Sequence, residues 1–492
     1  MIVGKSIKKN TIYNTIKTTS SILFPLISFS YANRVLLPEN VGKVNFALSI
    51  ISYFSLIASL GINTYAIREC SAVRNDKEKL NDLASQIFSI NIVSTIIAYI
   101  ALFVTLLAYR KLDSYRILIL IQSLSIIANT IGADWLNSAM EDFRYITLRT
   151  VLFQVLSLAL TFIFVHKPED YIRYAIIALI SSSGASIANA FYRRRYCTIR
   201  LVGLRKGIEW NRHIRPIVFL FSMILAQTIF NSVDSTMLGI MHGDKEVGIY
   251  SVAHKVLMII NQVVGSLLLV IIPRMSYYFA EDDYEAANKL LTKVFGFNML
   301  LGLPIVVGVL MTSEEIIGIV AGPDYAESIP VLRILILGFA FSLVGGNFIG
   351  NAILLPSKQE KYYMIVCCVS AVINIILNYV LIPWWGARAA ALTTVICSAT
   401  IMILLFLKVD KRIHIDKILL SILSPMVGCG LIVATCLLFR SIQNLYVRTV
   451  ISIGISATLY FITQILLRNE LVIEVLDAIT HMIRKGSRDF AR

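Results

Sequence analysis

Long apolar stretches separated by short polar turns run through the whole 492-residue chain. Each stretch holds roughly 20 residues, the length of helix that crosses a hydrocarbon core about 30 Å thick. The apolar residues do not alternate with polar ones, so the stretches are not strands of a membrane barrel. The pattern predicts an all-α polytopic membrane protein with about 14 transmembrane helices. The predicted spans are residues 11–33, 42–67, 85–109, 115–137, 147–166, 171–191, 214–240, 248–272, 292–312, 328–355, 362–382, 386–408, 418–440 and 446–467.

Composition and charge support a membrane protein and argue against a nucleic-acid partner. The chain is 57% hydrophobic and 15% charged, whereas a soluble domain is about 25% charged. The net charge is +15, but Lys and Arg are roughly three times as frequent on the side of the spans that holds both termini. This asymmetry predicts that both termini are cytoplasmic. The most basic loop, 192–213, is interpreted as an anchor near anionic lipid, with a docking site for a partner or an acidic substrate as the alternative.

The sequence offers no support for catalysis, a cofactor or a metal. It contains neither a GxxxxGK[ST] phosphate loop nor an HExxH motif, and its six histidines are scattered. None of the seven cysteines falls in a predicted outer loop, so no disulfide is expected. We therefore expect a protein that is not an enzyme and needs no cofactor.

A weak internal repeat divides the chain. The turn before the second span ends in Val41-Gly42, and the turn before the eighth ends in Val247-Gly248. Six spans separate the two turns, and an even number preserves direction, so the halves are parallel repeats about an axis along the membrane normal. The predicted organisation is an N-terminal lobe, a basic cytoplasmic linker, a C-terminal lobe, an extra helix pair and a cytoplasmic amphipathic tail, over residues 1–195, 196–213, 214–410, 411–468 and 469–492.

Charged residues within the spans are candidates for the functional site, because an ionisable group in a membrane is costly. Lys17 lies about 9 Å from the cytoplasmic end of the first span, and Asp134 lies near the same side. Asp234 and the pair His254-Lys255 are predicted to share a depth on consecutive helices. An ion pair between Asp234 and Lys255 with a purely structural role is one interpretation.

The sharper interpretation is a polar cavity between two helical lobes, with cationic side chains facing an anionic substrate. The predicted substrate-binding cations are Lys17, Arg34, Lys255 and Arg333. Asp134, Asp234 and His254 are candidates for coupling or ion pairing. Arg34 and Arg333 have an alternative role, in which their long side chains reach the membrane interface. Asparagines that could also face the cavity are Asn63, Asn129, Asn231, Asn261, Asn347, Asn351, Asn374 and Asn378.

Several segments carry a resemblance to a known family. In the first half they are Asn14 through Pro25 to 34–42, then 61–69, and the Asp134-Trp135-Leu136 motif with 141–146 and Arg149. In the second half they are Asp234 with 238–239, 247–250 and 378–383. Over about residues 5–465 the chain resembles the bacterial polysaccharide (O-antigen or capsule repeat-unit) flippases of the multidrug/oligosaccharidyl-lipid/polysaccharide exporter superfamily. The aromatic-rich segment usual after the Asp-Trp pair is Leu136-Asn137-Ser138 here, which is a departure from the pattern.

The resemblance implies two six-helix lobes around an alternating-access cavity. It implies movement of an undecaprenyl diphosphate-linked oligosaccharide to the outer leaflet of the bacterial cytoplasmic membrane, for O-antigen, lipopolysaccharide, capsule or exopolysaccharide biosynthesis. Partners would be the lipid-linked oligosaccharide, membrane lipid, a polysaccharide polymerase and glycosyltransferases. The physical chemistry agrees, because a diphosphate cannot cross hydrocarbon unaided and pairs well with Lys and Arg.

Other functions remain open at this point. A peptidoglycan-precursor flippase or a cation-drug antiporter would share the fold, although an antiporter should favour buried carboxylates over buried cations. A membrane glycan polymerase or ligase belongs to another class, and the short outer loops count against it.

Overall fold

In a computed structural model, residues 7–203, 207–268, 271–414, 422–474 and 476–477 are described, and these residues are almost wholly helical with no strand among them. The α-helices of the described part are α1 (Ile7–Ser59), α2 (Ile62–Ala72), α3 (Lys77–Ala108), α4 (Arg116–Gly132), α5 (Asp134–Ala139), α6 (Phe143–Phe164), α7 (Tyr171–Tyr192), α8 (Trp210–Met241), α9 (Asp244–Leu268), α10 (Ile272–Ala280), α11 (Tyr284–Met311), α12 (Ser313–Val320), α13 (Ser328–Ser342), α14 (Glu360–Phe406), α15 (Leu423–Leu438) and α16 (Leu445–Leu466). A π-helical segment, Leu343–Leu354, follows α13. The predicted all-α polytopic class is confirmed.

Within the described residues, 11 helices are long and apolar enough to cross a membrane, or up to 12 if α8, bent by 47°, counts as one span. Two of these segments have 61 and 47 residues, far more than the roughly 20 that one crossing needs: Ile12–Ala72, which runs through α1 into α2, and Glu360–Phe406, which is α14. Each has a break, at Leu37 in α1 and at Gly386 in α14. Each break separates two predicted spans, but the count of 14 stays a prediction.

The break in α14 depends on a glycine. Gly386 has φ +54°, and a Cβ there would lie 2.4 Å from the carboxylate Oε2 of Glu246. That same oxygen accepts a hydrogen bond of 2.6 Å from the backbone N–H of Ala387. A side chain at position 386 would therefore be strained by the left-handed backbone and would displace the carboxylate that caps the following helix.

Large apolar side chains cover the outer surfaces of the helices. Leu107 is 77% exposed and Val450 is 72% exposed. Such side chains would be unfavourable in water, but lipid solvates them, while the helices satisfy their own backbone hydrogen bonds. The outward-facing surface is therefore as apolar as membrane insertion requires.

The chain forms two compact units. The first unit comprises residues 1–251 and 382–387, and the second comprises 252–381 and 388–492. In the first unit, α1 packs against α3, α4, α6 and α8, and α4 packs against α7. In the second, α11 packs against α13 and α15, and α15 packs against α16. There the Tyr460 hydroxyl donates a hydrogen bond of 2.7 Å to the carbonyl of Leu300.

The two repeated turns pack against each other inside the first unit. A Cβ on Gly42 would lie 1.8 Å from the carbonyl oxygen of Asp244, and a Cβ on Gly248 would lie 2.0 Å from that of Pro38. Pro38 and Asp244 occupy equivalent positions of the repeat, each four residues before its glycine. The contact is therefore reciprocal, as a local two-fold axis requires.

A hydrogen bond extends this reciprocal contact by one turn. The amide nitrogen of Asn45 donates to the hydroxyl of Ser251 at 3.0 Å, and these residues are 206 positions apart, the same offset as Gly42 and Gly248. The predicted repeat therefore corresponds to a pair of helices that cross with their equivalent residues in contact.

The basic loop after α7 is docked along α3. The backbone N–H groups of Thr198, Arg200 and Val202 donate to the side chains of Asn81, Ser85 and Ser89, respectively. Alternate residues of an extended segment advance about as far as one turn of helix, so the bonds repeat at matching intervals. Arg205 and Lys206, which the charge count includes, lie outside the described residues.

Docking also buries Cys197, which is 1% exposed. Burial raises the pKa of the Cys197 thiol to about 11, so it stays protonated and unreactive at neutral pH. All seven cysteines are free thiols in the structure.

Only the start of the predicted amphipathic tail belongs to the described residues. Residues 470–474 are helical, Val472 packs near Leu300 and Tyr460, and Glu474 forms an ion pair with Lys293. Val475 and residues 478–492 of the predicted tail lie outside the described residues.

Candidate functional site

A cavity of about 650 Å³ lies within the first unit, between segments of α1, α2, α3, α4, α5, α7 and α8. Its volume is in the range typical of small-molecule sites, about 300–1,000 Å³. The polar lining consists mainly of hydroxyl and amide side chains, with one carboxylate among the described residues: Ser52, Ser55, Ser59, Asn63, Asn91, Ser125, Asn129, Thr130, Asp134, Ser182 and Thr228. The cavity thus presents many hydrogen-bonding groups beside its apolar residues, although the helices around it have apolar outer faces.

The chain turns sharply to bring Asp134 to the cavity wall. Ala133 adopts a left-handed conformation with φ 48° between α4 and α5, which ends α4 and starts the short α5 at Asp134. Gly132 allows α4 to approach α7, since a Cβ there would lie 2.7 Å from the carbonyl oxygen of Ser186. The close approach places the Ser186 hydroxyl next to the Asp134 carboxylate.

Asp134 and Arg149 form an ion pair at this wall. The distance between Asp134 Oδ1 and Arg149 Nη2 is 2.9 Å, and the Ser186 hydroxyl donates to Asp134 Oδ2 at 3.0 Å. Arg149 also donates to the carbonyl of Ala185 at 2.6 Å and lies 5.4 Å from the centre of the Tyr145 ring. The Arg149 side chain is 6% exposed and that of Asp134 is 40% exposed, so the carboxylate faces the cavity and the guanidinium lies behind it.

Lys17 belongs to the same cluster of charges. It interacts electrostatically with both Arg149 and Asp134 and is partly buried on α1, but it is not among the residues that line the cavity. The structure therefore brings together two predicted site residues, Lys17 and Asp134, and adds Arg149.

The sequence places Arg149 in the family motif and only two positions inside the predicted span 147–166, which does not indicate a charge deep in the membrane. The helix begins at Phe143, so Arg149 lies six residues, or about 9 Å, inside it. Its distance from Asp134 along the chain, 15 residues, carries no periodicity that would have indicated a contact.

The other predicted site residues are spread over both units. Asp234 on α8 is 2% exposed and accepts a hydrogen bond of 2.5 Å from the Tyr250 hydroxyl. His254 and Lys255 are partly buried on the part of α9 that belongs to the second unit. The ion pair between Asp234 and Lys255 stays a prediction.

The two interfacial arginines have different surroundings. Arg34 is exposed on α1, three residues before the break at Leu37. Arg333 on α13 donates to the Ser313 hydroxyl at 2.7 Å and pairs with Glu314 at 3.1 Å, with both side chains 45% exposed. Arg333 is therefore held to the start of α12.

Two of the asparagines suggested for a cavity hold helices together. Asn374 and Asn378 are at most 1% exposed. Asn378 donates to Asn374 at 3.1 Å, and Thr393 donates to Asn378 at 2.5 Å, which connects the two halves of α14. Asn63 and Asn129, by contrast, line the cavity of the first unit.

Much of the 141–149 motif is structural. Arg74 forms an ion pair of 2.6 Å with Glu141, and the Tyr192 hydroxyl donates to Asp142 at 3.0 Å. The rings of Tyr145 and Tyr192 are stacked with centroids 3.5 Å apart. These contacts hold the start of α6 against the end of α7 and the turn after α2.

No group of three or more His, Cys, Asp or Glu residues suited to a metal occurs in the part of the chain that the structure describes. A second buried ion pair, Arg448 with Glu315 at 2.6 Å, joins α16 to α12. Like Arg149, Arg448 stands close to the end of a predicted span, so the sequence did not single it out.

Comparison with known proteins identifies the class. The structure aligns with the lipid II flippase MurJ in an inward closed conformation, with a TM-score of 0.73 over 94% of this chain and 100% of that chain, at 17% sequence identity. At this identity the match shows the fold alone, that of a polytopic all-helical membrane protein.

Family models and sequence relatives are more specific. Residues 7–279 match the family described as polysaccharide biosynthesis protein, and residues 219–380 match the MatE family. Because the first match covers more than half of the chain, the chain belongs to the polysaccharide biosynthesis protein family.

Two curated relatives resemble most of the chain. A protein of Escherichia coli (strain K12) named as an O-antigen transporter is 24% identical over 365 residues, which is 72% of this chain and 85% of the relative. The capsular polysaccharide biosynthesis protein CapF of Staphylococcus aureus is 26% identical over 360 residues, 71% of this chain and 86% of the relative.

Proposed function

We propose that this protein is a flippase that moves an undecaprenyl diphosphate-linked oligosaccharide from the cytoplasmic to the outer leaflet of the bacterial cytoplasmic membrane by alternating access. The observation that carries the proposal is the cavity of about 650 Å³, rich in hydroxyl and amide groups, whose lining comes mainly from helices of membrane-spanning length. Family membership and relatives named for O-antigen transport and capsule biosynthesis support the same substrate class. The product would serve the assembly of a surface polysaccharide.

The physical problem that such a protein solves matches these features. Sugars and a diphosphate are costly to place in hydrocarbon without hydrogen-bond partners, whereas the polyprenyl tail is at home in lipid. A cavity rich in hydroxyl and amide groups replaces the water around the polar head while the tail remains outside. Movement across the membrane makes and breaks no covalent bond, so the chain needs no catalytic residues.

The diphosphate would bind to cationic side chains. Lys17, Arg34, Lys255 and Arg333 are our candidates, because ammonium and guanidinium groups form strong charge-assisted hydrogen bonds with phosphate oxygens. Asp134, Asp234 and His254 are candidates for coupling transport to an ion gradient. The mechanism assumes two lobes, 1–195 and 214–410, joined by the linker 196–213 and followed by the helix pair 411–468 and the tail 469–492.

The orientation follows from the distribution of basic residues, which favours cytoplasmic termini. The glycosyltransferases that build the oligosaccharide would then act on the cytoplasmic side, and the polymerase that joins the units would act on the outer side. The glycosyltransferases would supply the substrate of this protein, and the polymerase would consume its product.

A cation-drug antiporter of the same fold is disfavoured by the cavity itself. Its carboxylate, Asp134, is already paired with Arg149, so an organic cation would have to displace a buried guanidinium. A peptidoglycan-precursor flippase shares the diphosphate chemistry, and the experiment below separates it by the glycan that accumulates.

The proposal is tested by deleting the gene and extracting lipids. We expect an undecaprenyl diphosphate-linked oligosaccharide to accumulate on the cytoplasmic side, and the purified chain in proteoliposomes to move this lipid between leaflets. Lys17→Ala, Lys255→Ala and Arg333→Ala should each reduce the rate at least tenfold, whereas Asn75→Ala, in an exposed turn, should not. Unchanged transport in all three cation variants would exclude the proposed cationic site. Accumulation of a peptidoglycan precursor instead would favour the alternative substrate.

A further inference from the structure

The cavity of the first unit is not suited to a diphosphate. The one charged side chain in its described lining is Asp134, an anion. A diphosphate placed beside it would face this carboxylate and would find no cationic side chain in the described lining to pair with. The nearby guanidinium of Arg149 does not reverse this, because its side chain is 6% exposed and it is bound to Asp134 and Ala185.

The cavity is also poorly suited to a free cation. The charge of Asp134 is compensated by Arg149 at 2.9 Å, and Lys17 adds a further positive charge close to the pair. Lys17 lies outside the lining, so the ion pair leaves the lining itself without net charge, and its ligand should be polar and uncharged.

Hydrogen-bonding capacity remains unused at three side chains of the lining. Asn63 is exposed to the cavity, and its amide has no partner among the described residues. The Asn129 carbonyl accepts from Ser186 at 3.3 Å, which leaves its NH₂ group available. The Asp134 carboxylate is 40% exposed and has acceptor sites beyond those used by Arg149 and Ser186.

The side chains of Asn129 and Asp134 lie next to each other, since both accept a hydrogen bond from the Ser186 hydroxyl, at 3.3 and 3.0 Å. Together they present a donor and an acceptor side by side. Neighbouring hydroxyl groups on a sugar ring, each of which donates and accepts, match such a pair. Apolar residues of the same lining, such as Ile51 and Ile126, can cover the C–H faces of the ring.

We infer that this cavity is the subsite for the sugar part of the lipid-linked substrate, with Asn63, Asn129 and Asp134 binding sugar hydroxyl and N-acetyl groups, and that the diphosphate binds elsewhere. The inference rests on the proposed function and adds to it which end of the substrate the first unit holds. These three residues then contribute to glycan specificity, and the cations contribute to recognition of the carrier that every glycan shares.

The test compares two probes on the purified full-length chain in lipid nanodiscs. One probe is the lipid-linked oligosaccharide extracted from the deletion strain, and the other is undecaprenyl diphosphate without sugar. The variant Asn63→Ala/Asn129→Ala should bind the first probe about tenfold more weakly, the effect of losing a few hydrogen bonds. Its affinity for undecaprenyl diphosphate should change less than twofold. Asn75→Ala serves as the matched control and should bind both probes as the wild type does.

Each outcome is decisive. Equal loss for both probes, or no loss for either, would overturn the subsite. Loss of Na⁺ binding without a change in oligosaccharide affinity would also overturn it and identify an ion site. If the deletion strain accumulates no lipid-linked oligosaccharide, the proposed function itself fails. Since the retained affinity for undecaprenyl diphosphate reports folding, a misfolded variant cannot imitate the expected result.

Discussion

At the scale of single residues, the first unit is distinguished by a buried guanidinium whose two terminal nitrogens are paired and whose Nε has no hydrogen-bond partner among the described residues. Arg149 contacts a carboxylate, a backbone carbonyl and an aromatic ring. Removing one member of a buried ion pair commonly costs about 3–5 kcal/mol, because the remaining charge stays buried without compensation. Replacing both members by apolar residues is often nearly neutral. Arg149 therefore has a structural role that its long side chain and position in a functional motif do not reveal.

We predict that Arg149→Met lowers the free energy of unfolding by about 2 kcal/mol, because Asp134 and the Ala185 carbonyl each lose a donor. The loss is smaller than for a fully buried pair because the Asp134 side chain is 40% exposed. Adding Asp134→Leu should restore much of the loss. The thermal unfolding midpoint of the purified protein in detergent measures both effects. Arg144→Met, on an exposed position of the same helix, is the control and should change stability by less than about 0.5 kcal/mol. Equal midpoints for Arg149→Met and Arg144→Met would contradict the structural role.

At the scale of helices, the reciprocal crossing of α1 and α9 depends on two glycines. Position 42 faces a backbone carbonyl of the opposite turn, and position 248 faces the equivalent carbonyl. Backbone cannot rotate away as a side chain can, so an added methyl group must push the helices apart. Small residues that let helices approach closely are a general device in membranes, where apolar surfaces alone do not drive helices together.

Gly42→Ala and Gly248→Ala should each destabilise the protein by about 2 kcal/mol, as overpacking does, and by similar amounts because the contacts are equivalent. Gly308→Ala in α11 is the matched control, since nothing lies within 4 Å of a Cβ there. It should be neutral or stabilise by up to about 1 kcal/mol, as Ala favours helix over Gly. The thermal unfolding midpoints of the three purified variants test this prediction. A Gly42→Ala midpoint equal to that of Gly308→Ala would show that the two helices can move apart without loss of stability.

At the scale of the whole molecule, the contacts show which loops share a side of the membrane. On one side, Asn40 donates to the carbonyl of Pro168 at 2.9 Å, and Tyr115 donates to Asp244 at 2.6 Å. Asn40, Pro168 and Asp244 belong to predicted outer turns, and Tyr115 begins the predicted span 115–137 directly after another. On the other side, the linker residue Thr198 binds Asn81, in a predicted inner loop. The contacts group the loops, and the charge asymmetry favours the second group as cytoplasmic.

The predicted orientation can be measured with single cysteines in a variant that lacks the seven native ones. Glu169→Cys, in a predicted outer turn, should react with a membrane-impermeant maleimide in intact cells. Glu281→Cys, in a predicted inner loop, should react only after the cells are opened. Both positions are exposed in the structure, so a difference in their labelling does not arise from burial of either side chain. The reverse pattern of labelling would show that the termini are on the outer side.

Sequence alone determined the class of molecule, the approximate spans and the repeat at Gly42 and Gly248, because membrane thickness and helix geometry act on local sequence. The motif with Asp134 and Trp135 also led to the family.

Tertiary structure decided which polar groups meet. The pairing of Asp134 with Arg149, the docking of Thr198, Arg200 and Val202 on α3, and the neutral cavity beside Asn63 and Asn129 depend on how helices pack. Residues distant in the chain meet across those helices, and no periodicity within one helix encodes such contacts.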